Sequence, residues 1–392
     1  MRKRKEIKRI VCMILLLSCF INRSVHAEEL SLYARSALLM DASNGRVLYE
    51  ENGYKVMPMA STTKIMTCIL ALEWLSKASE EERKRPVIVS AYAARMPKVH
   101  LGMRTGEEYA LEDLLYSLML ESHNDTAVAI AEHIDGSVEK FAKRMNEKAK
   151  ELGCEHTNFI TPNGLDAEEK GKAHSTTAYD LGLIASYAIQ NEEFLKIIST
   201  RNYVFEEKTG GRQIRVDNKN RFLDLMEGAV GIKTGFTADA GYCFVGAVKL
   251  DGKNFVSVVL GSGWPPNKNW KWKDTMKLME YGMEEYESKD LDKKLTYEPL
   301  PVVHGVKDSV KVCIEKKKEG DLVLLLSERD KTAVIKEMKH EVSAPVKKGE
   351  VVGYECYYIN GQLYKRYEIK TAESVELRTY FYCLRQIFML YF

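Results

Sequence analysis

Hydrophobic and polar positions follow two different periods along residues 30–286, which predicts a mixture of strands and helices. Residues 37–41 and 46–49 are apolar runs of strand length, and the Ser-Asn-Gly sequence between them favours a turn. After Pro58 the spacing becomes helical, with one apolar stripe formed by Ile65, Cys68, Ile69, Leu72 and Leu75. This order predicts a pair of strands that leads into an amphipathic helix.

Three further helices are predicted in the same part of the chain. Apolar positions at helical spacing cover residues 111–120, a second helix begins near Asp125, and a third spans 138–152. Gly153 follows the third helix, and a glycine directly after the last periodic residue is a typical stop signal. The connection at 122–124 is short, so these residues are expected between two helix ends.

Two apolar runs late in this segment predict a hairpin. Residues 242–250 and 254–260 have strand character, and Asp251 and Gly252 between them are typical of a tight turn. Strands joined in this way are antiparallel. Residues 28–290 are therefore predicted to form an α/β (α+β) domain with an antiparallel sheet and helices on both sides.

The C-terminal quarter of the chain has a different character. Between residues 300 and 370 short β-rich runs alternate with charged turns, so 296–371 are predicted to form a small all-β domain. Residues 372–392 are predicted to form an amphipathic helix at the membrane surface, since aromatic residues are dense there and Arg378 and Arg385 can reach lipid head groups. The apolar residues assigned to one face of this helix are Leu377, Phe381, Leu384, Phe388 and Tyr391.

The N-terminus has the composition of a secretory signal peptide. Six Lys/Arg side chains precede an apolar stretch over residues 10–21 that is short for a bilayer span, and Val25 and Ala27 are small residues at the usual cleavage offsets. Residues 1–27 are therefore predicted to direct export. We expect the mature protein at the extracytoplasmic face of the cell membrane.

Composition excludes other classes of protein. The formal net charge of +2 is misleading, because residues 1–27 hold seven of the 58 Lys/Arg and one of the 56 Asp/Glu. The rest of the chain therefore carries more acidic than basic residues, which leaves no basic surplus for nucleic acid. The cysteines beyond the signal are irregularly spaced, without a zinc-ligand pair or a redox motif, so no metal and no other cofactor is expected.

Ser61 and Lys64 lie at the start of the helix after Pro58, at a spacing that places both side chains on one face. A serine hydroxyl becomes a strong nucleophile when a base takes its proton, and a lysine amine can be that base when burial and nearby cations lower its pKa. The positive end of the helix also favours a developing oxyanion. Alone the spacing is common, and a capping serine beside a solvated lysine is the ordinary alternative.

Two later segments offer groups that complement a nucleophile. Ser122 and Asn124 fall between two predicted helices and offer a hydroxyl for proton relay and a carboxamide for a substrate amide, although helix capping alone also explains them. Lys233, Thr234 and Gly235 end a predicted strand, where an extended peptide can pair and its carboxylate can meet a cation. Gly235 lets a substrate backbone approach closely. The three segments together, in this order, predict a serine hydrolase.

These motifs resemble the three signature motifs of penicillin-binding proteins and serine β-lactamases. Residues 41–49, 59–67, 163–166 and 174–176 narrow the resemblance to the low-molecular-mass D-alanyl-D-alanine carboxypeptidases of the peptidase S11 type. The resemblance covers essentially the whole chain, including the β-rich domain and the C-terminal helix. It implies a serine β-lactamase/transpeptidase-like catalytic domain.

The resemblance also implies a role for each motif residue. Ser61 forms an acyl-enzyme, Lys64 is its general base, and Ser122 completes the catalytic set. The implied substrate-binding residues are Asn124, Lys233, Thr234, Gly235 and Phe236, and the backbone N–H groups of Ser61 and Phe236 form the oxyanion hole. The implied reaction removes the terminal D-alanine from peptidoglycan stem pentapeptides, with β-lactams as inhibitors.

Three alternatives remain open at this point. A D,D-endopeptidase that cleaves cross-links uses the same residues and differs mainly in the width of its cleft. A β-lactamase needs a second base for fast deacylation, and the sequence has no convincing Glu-x-x-x-Asn segment for it. A catalytically silent penicillin sensor or wall scaffold has no need for Lys64 beside Ser61.

Overall fold

The structure is a computed structural model that describes residues 30–293, 295–318 and 320–391. The predicted signal peptide, residues 1–27, lies outside the described residues. The chain divides into two compact units. One comprises residues up to Leu250 with Asn254–Glu280, and the other comprises Asp251–Lys253 with the residues from Tyr281 onward.

Strands and short helices alternate in the first unit. Its strands are β1 (Ser36–Asp41), β2 (Arg46–Glu51), β3 (Val87–Ile88), β4 (Glu108–Tyr109), β5 (Glu168–Glu169), β6 (Lys172–Ala173), β7 (Asn202–Glu206), β8 (Gln213–Asp217), β9 (Ala229–Thr237), β10 (Gly241–Leu250) and β11 (Lys253–Leu260). Its helices are α1 (Lys64–Lys77), α2 (Glu80–Lys84), α3 (Leu111–Tyr116), α4 (Asn124–Asp135), α5 (Val138–Glu151), α6 (Ala178–Ala188), α7 (Glu192–Ser199) and α8 (Trp270–Glu285).

A five-stranded antiparallel sheet with the order β2-β1-β11-β10-β9 forms the centre of this unit. The predicted hairpin between β10 and β11 is confirmed. Its turn residues Asp251 and Gly252 both have positive φ, at 51° and 74°, which is the backbone twist that a two-residue hairpin turn requires. Strand β9, which carries the lysine motif, therefore lies at the end of the sheet.

Helices cover both faces of this sheet, as predicted. On one face α6 packs so closely on β1 that a Cβ at Gly182 would be 2.6 Å from Leu38 Cδ2. On the other face α8 packs on β10, where the Phe244 and Trp272 rings lie 4.6 Å apart. The main hydrophobic core lies on the first face, where α1 contributes buried side chains along almost its whole length.

The second unit is built mainly of short strands. They are β12 (Glu287–Asp290), β13 (Leu300–Val303), β14 (Ser309–Val310), β15 (Val312–Ile314), β16 (Val323–Leu326), β17 (Thr332–Met338), β18 (Val342–Ser343), β19 (Val351–Ile359) and β20 (Gln362–Thr371), followed by helix α9 (Tyr380–Tyr391). They form sheets with the orders β15-β20-β19-β17, β14-β13-β18 and β12-β16. Aliphatic side chains from several of these strands share one small core.

The C-terminal helix is shorter than predicted, since it begins at Tyr380 and not at residue 372. Val375 is buried in the core of the second unit and pairs with Val346, and Leu377 forms a bridge with Gly305. Arg378 was predicted to reach lipid, but its guanidinium donates to the carbonyl of Gly305 at 2.9 Å and to Asp308 at 2.8 Å. Burial of Val375 in this core outweighs the helical pattern. In the part of the chain that the structure describes, no helix is both long and apolar enough to cross a bilayer.

Candidate active site

Ser61 lies in a tight 3₁₀ turn, Ala60–Thr63, directly before α1. Ala60 has a φ of +49°, a left-handed conformation that costs energy for a residue with a Cβ. The hydroxyls of Thr62 and Thr63 donate to the carbonyls of Met59 and Ala60 at 2.6 and 2.8 Å, which holds the turn closed. The turn thus presents Ser61 at the N-terminal end of a buried helix.

The Lys64 amine lies 3.0 Å from the Ser61 hydroxyl. It also donates to Asn124 Oδ1 at 2.9 Å and to the Asn163 carbonyl at 2.5 Å. The side chain is completely buried, and burial lowers the pKa of Lys64 well below its usual value, with the nearby charge of Lys233 acting in the same direction. A neutral amine beside a serine hydroxyl has the chemistry that a general base requires.

Ser122 follows a π-helical turn, Ser117–Glu121, and has a left-handed φ of 69°. Its hydroxyl is buried and has no hydrogen-bond partner among the described residues. Asn124 is held next to it, because its backbone N–H donates to the Val99 carbonyl at 2.8 Å and its side-chain amide donates to Pro97 at 3.1 Å. The segment therefore offers one fixed carboxamide and one hydroxyl that a ligand can engage.

The lysine motif lies on β9, where Gly235 is opposite Cys243 of β10. Lys233 is buried, and burial lowers its pKa to about 7. Its amine donates to the Thr234 carbonyl at 3.1 Å. A Cβ at Gly235 would be 3.1 Å from the Ser61 nitrogen, so glycine at this position permits the close approach of β9 to the Ala60–Thr63 turn (the nucleophile turn).

A cleft of about 570 Å³ connects these segments. Of the predicted residues, those that line it are Ser61, Ser122, Asn124, Thr234, Gly235 and Phe236. Lys64 and Lys233 are buried and are absent from its lining. The Phe236 ring is 43% exposed and lies 4.6 Å from the ring of Tyr242. The structure thus brings all three motifs to one opening, with both lysines recessed.

Several residues of the site have no role in the sequence interpretation. The Asn163 carbonyl that contacts Lys64 belongs to a segment noticed only for its resemblance. The Asp125 carboxylate accepts the backbone N–H groups of Leu101 and Gly102, each at 2.9 Å, and thereby ties this segment to the start of α4. Local sequence patterns do not predict such contacts, because the contacts join residues that are far apart in the chain.

Lys271 of α8 is another cleft residue that the sequence analysis missed. Its amine lies 4.7 Å from the centre of the Tyr242 ring and 4.8 Å from that of Trp272. Burial lowers the pKa of Lys271 to about 8. Lys271 thus gives the lining of the cleft a buried amine next to two aromatic rings.

Comparison with known proteins agrees with this geometry. The model of the peptidase S11 family, described as D-alanyl-D-alanine carboxypeptidase, matches residues 23–263. The chain belongs to this family. It is 31% identical over 352 residues to D-alanyl-D-alanine carboxypeptidase DacF of Bacillus subtilis (strain 168), a match that covers 89% of this chain and 87% of the relative.

Solved structures of family members have the same fold. Penicillin binding protein 5 from Haemophilus influenzae matches with a TM-score of 0.71 and 25% identity, over 89% of this chain and 99% of that one. Penicillin-Binding Protein D2 from Listeria monocytogenes, solved in its ampicillin-bound form, matches with a TM-score of 0.56 and 33% identity, over 65% of this chain and 100% of that one. The predicted fold class and family are confirmed.

The electrostatic effect of Lys233 on Lys64 predicts a shift in pH dependence. Lys233→Ala removes a cation that lowers the pKa of Lys64, so the neutral base is expected to form only at higher pH. The acid limb of the pH profile of penicillin acylation should therefore move to higher pH. Lys233→Arg keeps the charge and is the matched control. An acid limb that stays in place or moves to lower pH in Lys233→Ala would contradict the coupling.

Proposed function

We propose that the protein removes the C-terminal D-alanine from peptidoglycan stem peptides that end in D-alanyl-D-alanine, through an acyl-enzyme on Ser61. The observation that carries this proposal is the buried amine of Lys64, 3.0 Å from the Ser61 hydroxyl and recessed behind a cleft. Membership of the D-alanyl-D-alanine carboxypeptidase family supplies the substrate class.

Acylation begins when the neutral Lys64 amine takes the Ser61 proton and Oγ attacks the carbonyl carbon of the penultimate D-alanine. Negative charge develops on the carbonyl oxygen, and the backbone N–H groups of Ser61 and Phe236 stabilise it. The C–N bond then breaks, and the leaving amine receives a proton through Ser122 or from Lys64. D-alanine departs and an ester remains on Ser61.

Deacylation repeats these steps with water as the nucleophile. A water molecule loses a proton to the neutral base and attacks the ester carbonyl. The Ser61 oxygen then leaves with a proton from Lys64, which frees the shortened peptide and regenerates the enzyme. Each proton that Lys64 accepts in one half-reaction is returned in that half-reaction, so the cycle needs no cofactor.

The free carboxylate of the substrate meets the cationic side of the cleft. The Thr234 side chain and Lys271 line this side, and Lys233 lies directly next to Thr234 along β9. Two amines with pKa values of about 7 and 8 gain favourable interaction when an anion enters a poorly solvated cleft. This charge arrangement favours a peptide that ends at the second D-alanine.

A β-lactamase finds less support than a carboxypeptidase inhibited by β-lactams. Among the described residues that line the cleft, Glu121 is the one that carries a carboxylate. It is engaged by Lys219 at 3.3 Å and by the Asp217 backbone N–H at 2.9 Å, which disfavours a role as a second base for water. A slowly hydrolysed penicillin adduct on Ser61 is the expected consequence, and the ampicillin-bound form of a relative supports it.

We also propose that the enzyme is exported and that α9 lies on the extracytoplasmic surface of the cell membrane. The helix exposes a series of large apolar side chains, with Phe381 and Leu390 each 80% exposed. Its twelve residues rise about 18 Å, well below the roughly 30 Å of a bilayer core, so it suits the interface and not a span. Substrates attached to the cell wall support an extracytoplasmic site of action.

Acylation is expected to depend on Ser61 and Lys64. Labelling with fluorescent penicillin followed by peptide mapping should place the adduct on Ser61, and purified enzyme should release D-alanine from diacyl-Lys-D-Ala-D-Ala. Lys64→Ala should lower the acylation rate about 10²–10⁴-fold, the usual cost of losing a general base. Lys77→Ala, an exposed lysine at the end of the same helix, is the control. An adduct on another serine, or near-normal acylation of Lys64→Ala, would refute the mechanism.

Recognition of the free carboxylate is expected to depend on Lys233 and Lys271. Each alanine variant should lose roughly 10- to 100-fold in kcat/KM for the peptide acid, the range for a lost hydrogen bond to a charged group. The matched peptide amide should lose much less, because it offers no charge. Lys143→Ala, an exposed lysine of α5, should leave both substrates unaffected. Equal losses for acid and amide would show that neither lysine reads the carboxylate.

Removal of α9 is expected to release active enzyme from the membrane. The chain should be cut after Thr379, directly before α9. A cut near the predicted start of the helix, after Ala372, would also remove Val375 from the core of the second unit. Cell fractionation should move the truncated enzyme into the medium or periplasm with its D-alanine release unchanged. A full-length variant with Phe381→Asp and Phe388→Asp is the matched test of the apolar surface. Retention of both proteins in the membrane fraction would place the anchor elsewhere.

A further inference from the structure

The buried side chain of His174 connects the two segments that hold the nucleophile and its base. Its Nδ1 accepts the backbone N–H of Ile160 at 2.9 Å, so the proton of the neutral ring lies on Nε2. Nε2 is 2.8 Å from the Thr63 hydroxyl and therefore donates to it. That hydroxyl in turn donates to the Ala60 carbonyl at 2.8 Å. In this chain of hydrogen bonds the Thr63 hydroxyl accepts from His174 and donates to the Ala60 carbonyl, so the direction of every bond is fixed.

Both ends of this chain of hydrogen bonds lie next to the reacting groups. The turn that carries Ser61 begins at Ala60 and ends at Thr63. The segment after Ile160 carries Asn163, whose carbonyl accepts from the Lys64 amine at 2.5 Å. The two segments are also in direct contact, since a Cβ at Gly164 would be 2.0 Å from the Ala60 oxygen.

The backbone next to His174 is anchored on the same two segments. Ser175 exchanges backbone hydrogen bonds with Asn158 at 2.8 and 3.1 Å, and Thr176 does so with Met57 at 2.8 and 2.9 Å. The first pair precedes the Asn163 segment and the second precedes the nucleophile turn. The main chain therefore joins these two segments at a distance from Ser61, and the His174 ring joins them again nearer to Ser61.

The ring has to remain neutral for this connection to hold. A second ring proton would put a donor against the Ile160 N–H group. Burial lowers the pKa of His174 to about 4, with the charge of Lys64 acting in the same direction. The ring is therefore neutral at neutral pH.

We propose that His174 is a positioning residue that sets the contact between Ser61 and Lys64, through Thr63 on one side and the Asn163 carbonyl on the other. It touches neither the substrate nor the reacting atoms. The inference rests on the proposed function, because it assumes that Lys64 activates Ser61. Displacement of either segment alters the distance over which the proton moves, and small displacements of this kind are costly to rate.

The test measures the second-order rate constant for penicillin acylation of the full-length enzyme. Thr63→Val removes the hydroxyl at nearly constant shape, and Thr63→Ser keeps it. His174→Asn keeps an acceptor for Ile160 but loses the donor to Thr63. Each of Thr63→Val and His174→Asn is expected to lower the rate about 10- to 100-fold. Thr63→Ser should remain close to wild type.

The double variant separates positioning from general destabilisation. If one hydrogen-bonded chain carries both effects, Thr63→Val combined with His174→Asn should be no slower than the slower single variant. His133→Asn replaces another histidine of the same unit, one whose ring packs on Trp74, and should change thermal stability but not the acylation rate. Thermal unfolding of every variant is measured alongside.

The possible outcomes are distinct. Wild-type acylation of Thr63→Val, or losses that multiply in the double variant, would overturn the role of His174. If His174→Asn does not fold, the comparison of Thr63→Val with Thr63→Ser decides alone. If the wild-type enzyme forms no adduct on Ser61, the proposed function fails, and the inference that rests on it fails with it.

Discussion

The structure of the site depends on the burial of one amine. Burial of the Lys64 side chain away from water disfavours its charged form and lowers its pKa, and a neutral amine is what a general base requires. The same burial obliges the fold to supply partners for the amine, because an unpaired buried polar group is costly. They come from Ser61, from α4 through Asn124, and from the Asn163 carbonyl. Three parts of the chain are thereby brought to one point.

This requirement explains several local departures from regular structure. Ala60 and Ser122 both adopt left-handed backbone conformations on opposite sides of the site. Glycines at 164 and 235 let neighbouring segments come nearer to the nucleophile turn than any side chain would allow. Such strain persists only where the surrounding structure enforces it. Its presence at Ala60 and Ser122 agrees with a site shaped for chemistry.

The sequence predicted those parts of the site that depend on local geometry. Ser61 and Lys64 meet because residues three apart share a helix face, and the lysine motif lies on a strand because its neighbours have strand character. Asn163 and Lys271 were not predicted, since their roles come from contacts between distant segments. The C-terminal helix was predicted too long for a related reason. Helical spacing at Val375 describes only the chain itself, whereas its burial against Val346 belongs to the tertiary structure.

Strand β9 combines a functional need with a hazard. In the sheet order it stands at an edge, and exposed edges invite pairing with other proteins and aggregation. A proline, one of the common protections, would also remove a backbone N–H group that a bound peptide can use. Ile198 of α7 packs at Gly231 and the nucleophile turn packs at Gly235. A peptide bound along this edge would use the same backbone groups that a strand of a second protein would need, so substrate binding and edge-to-edge association exclude each other.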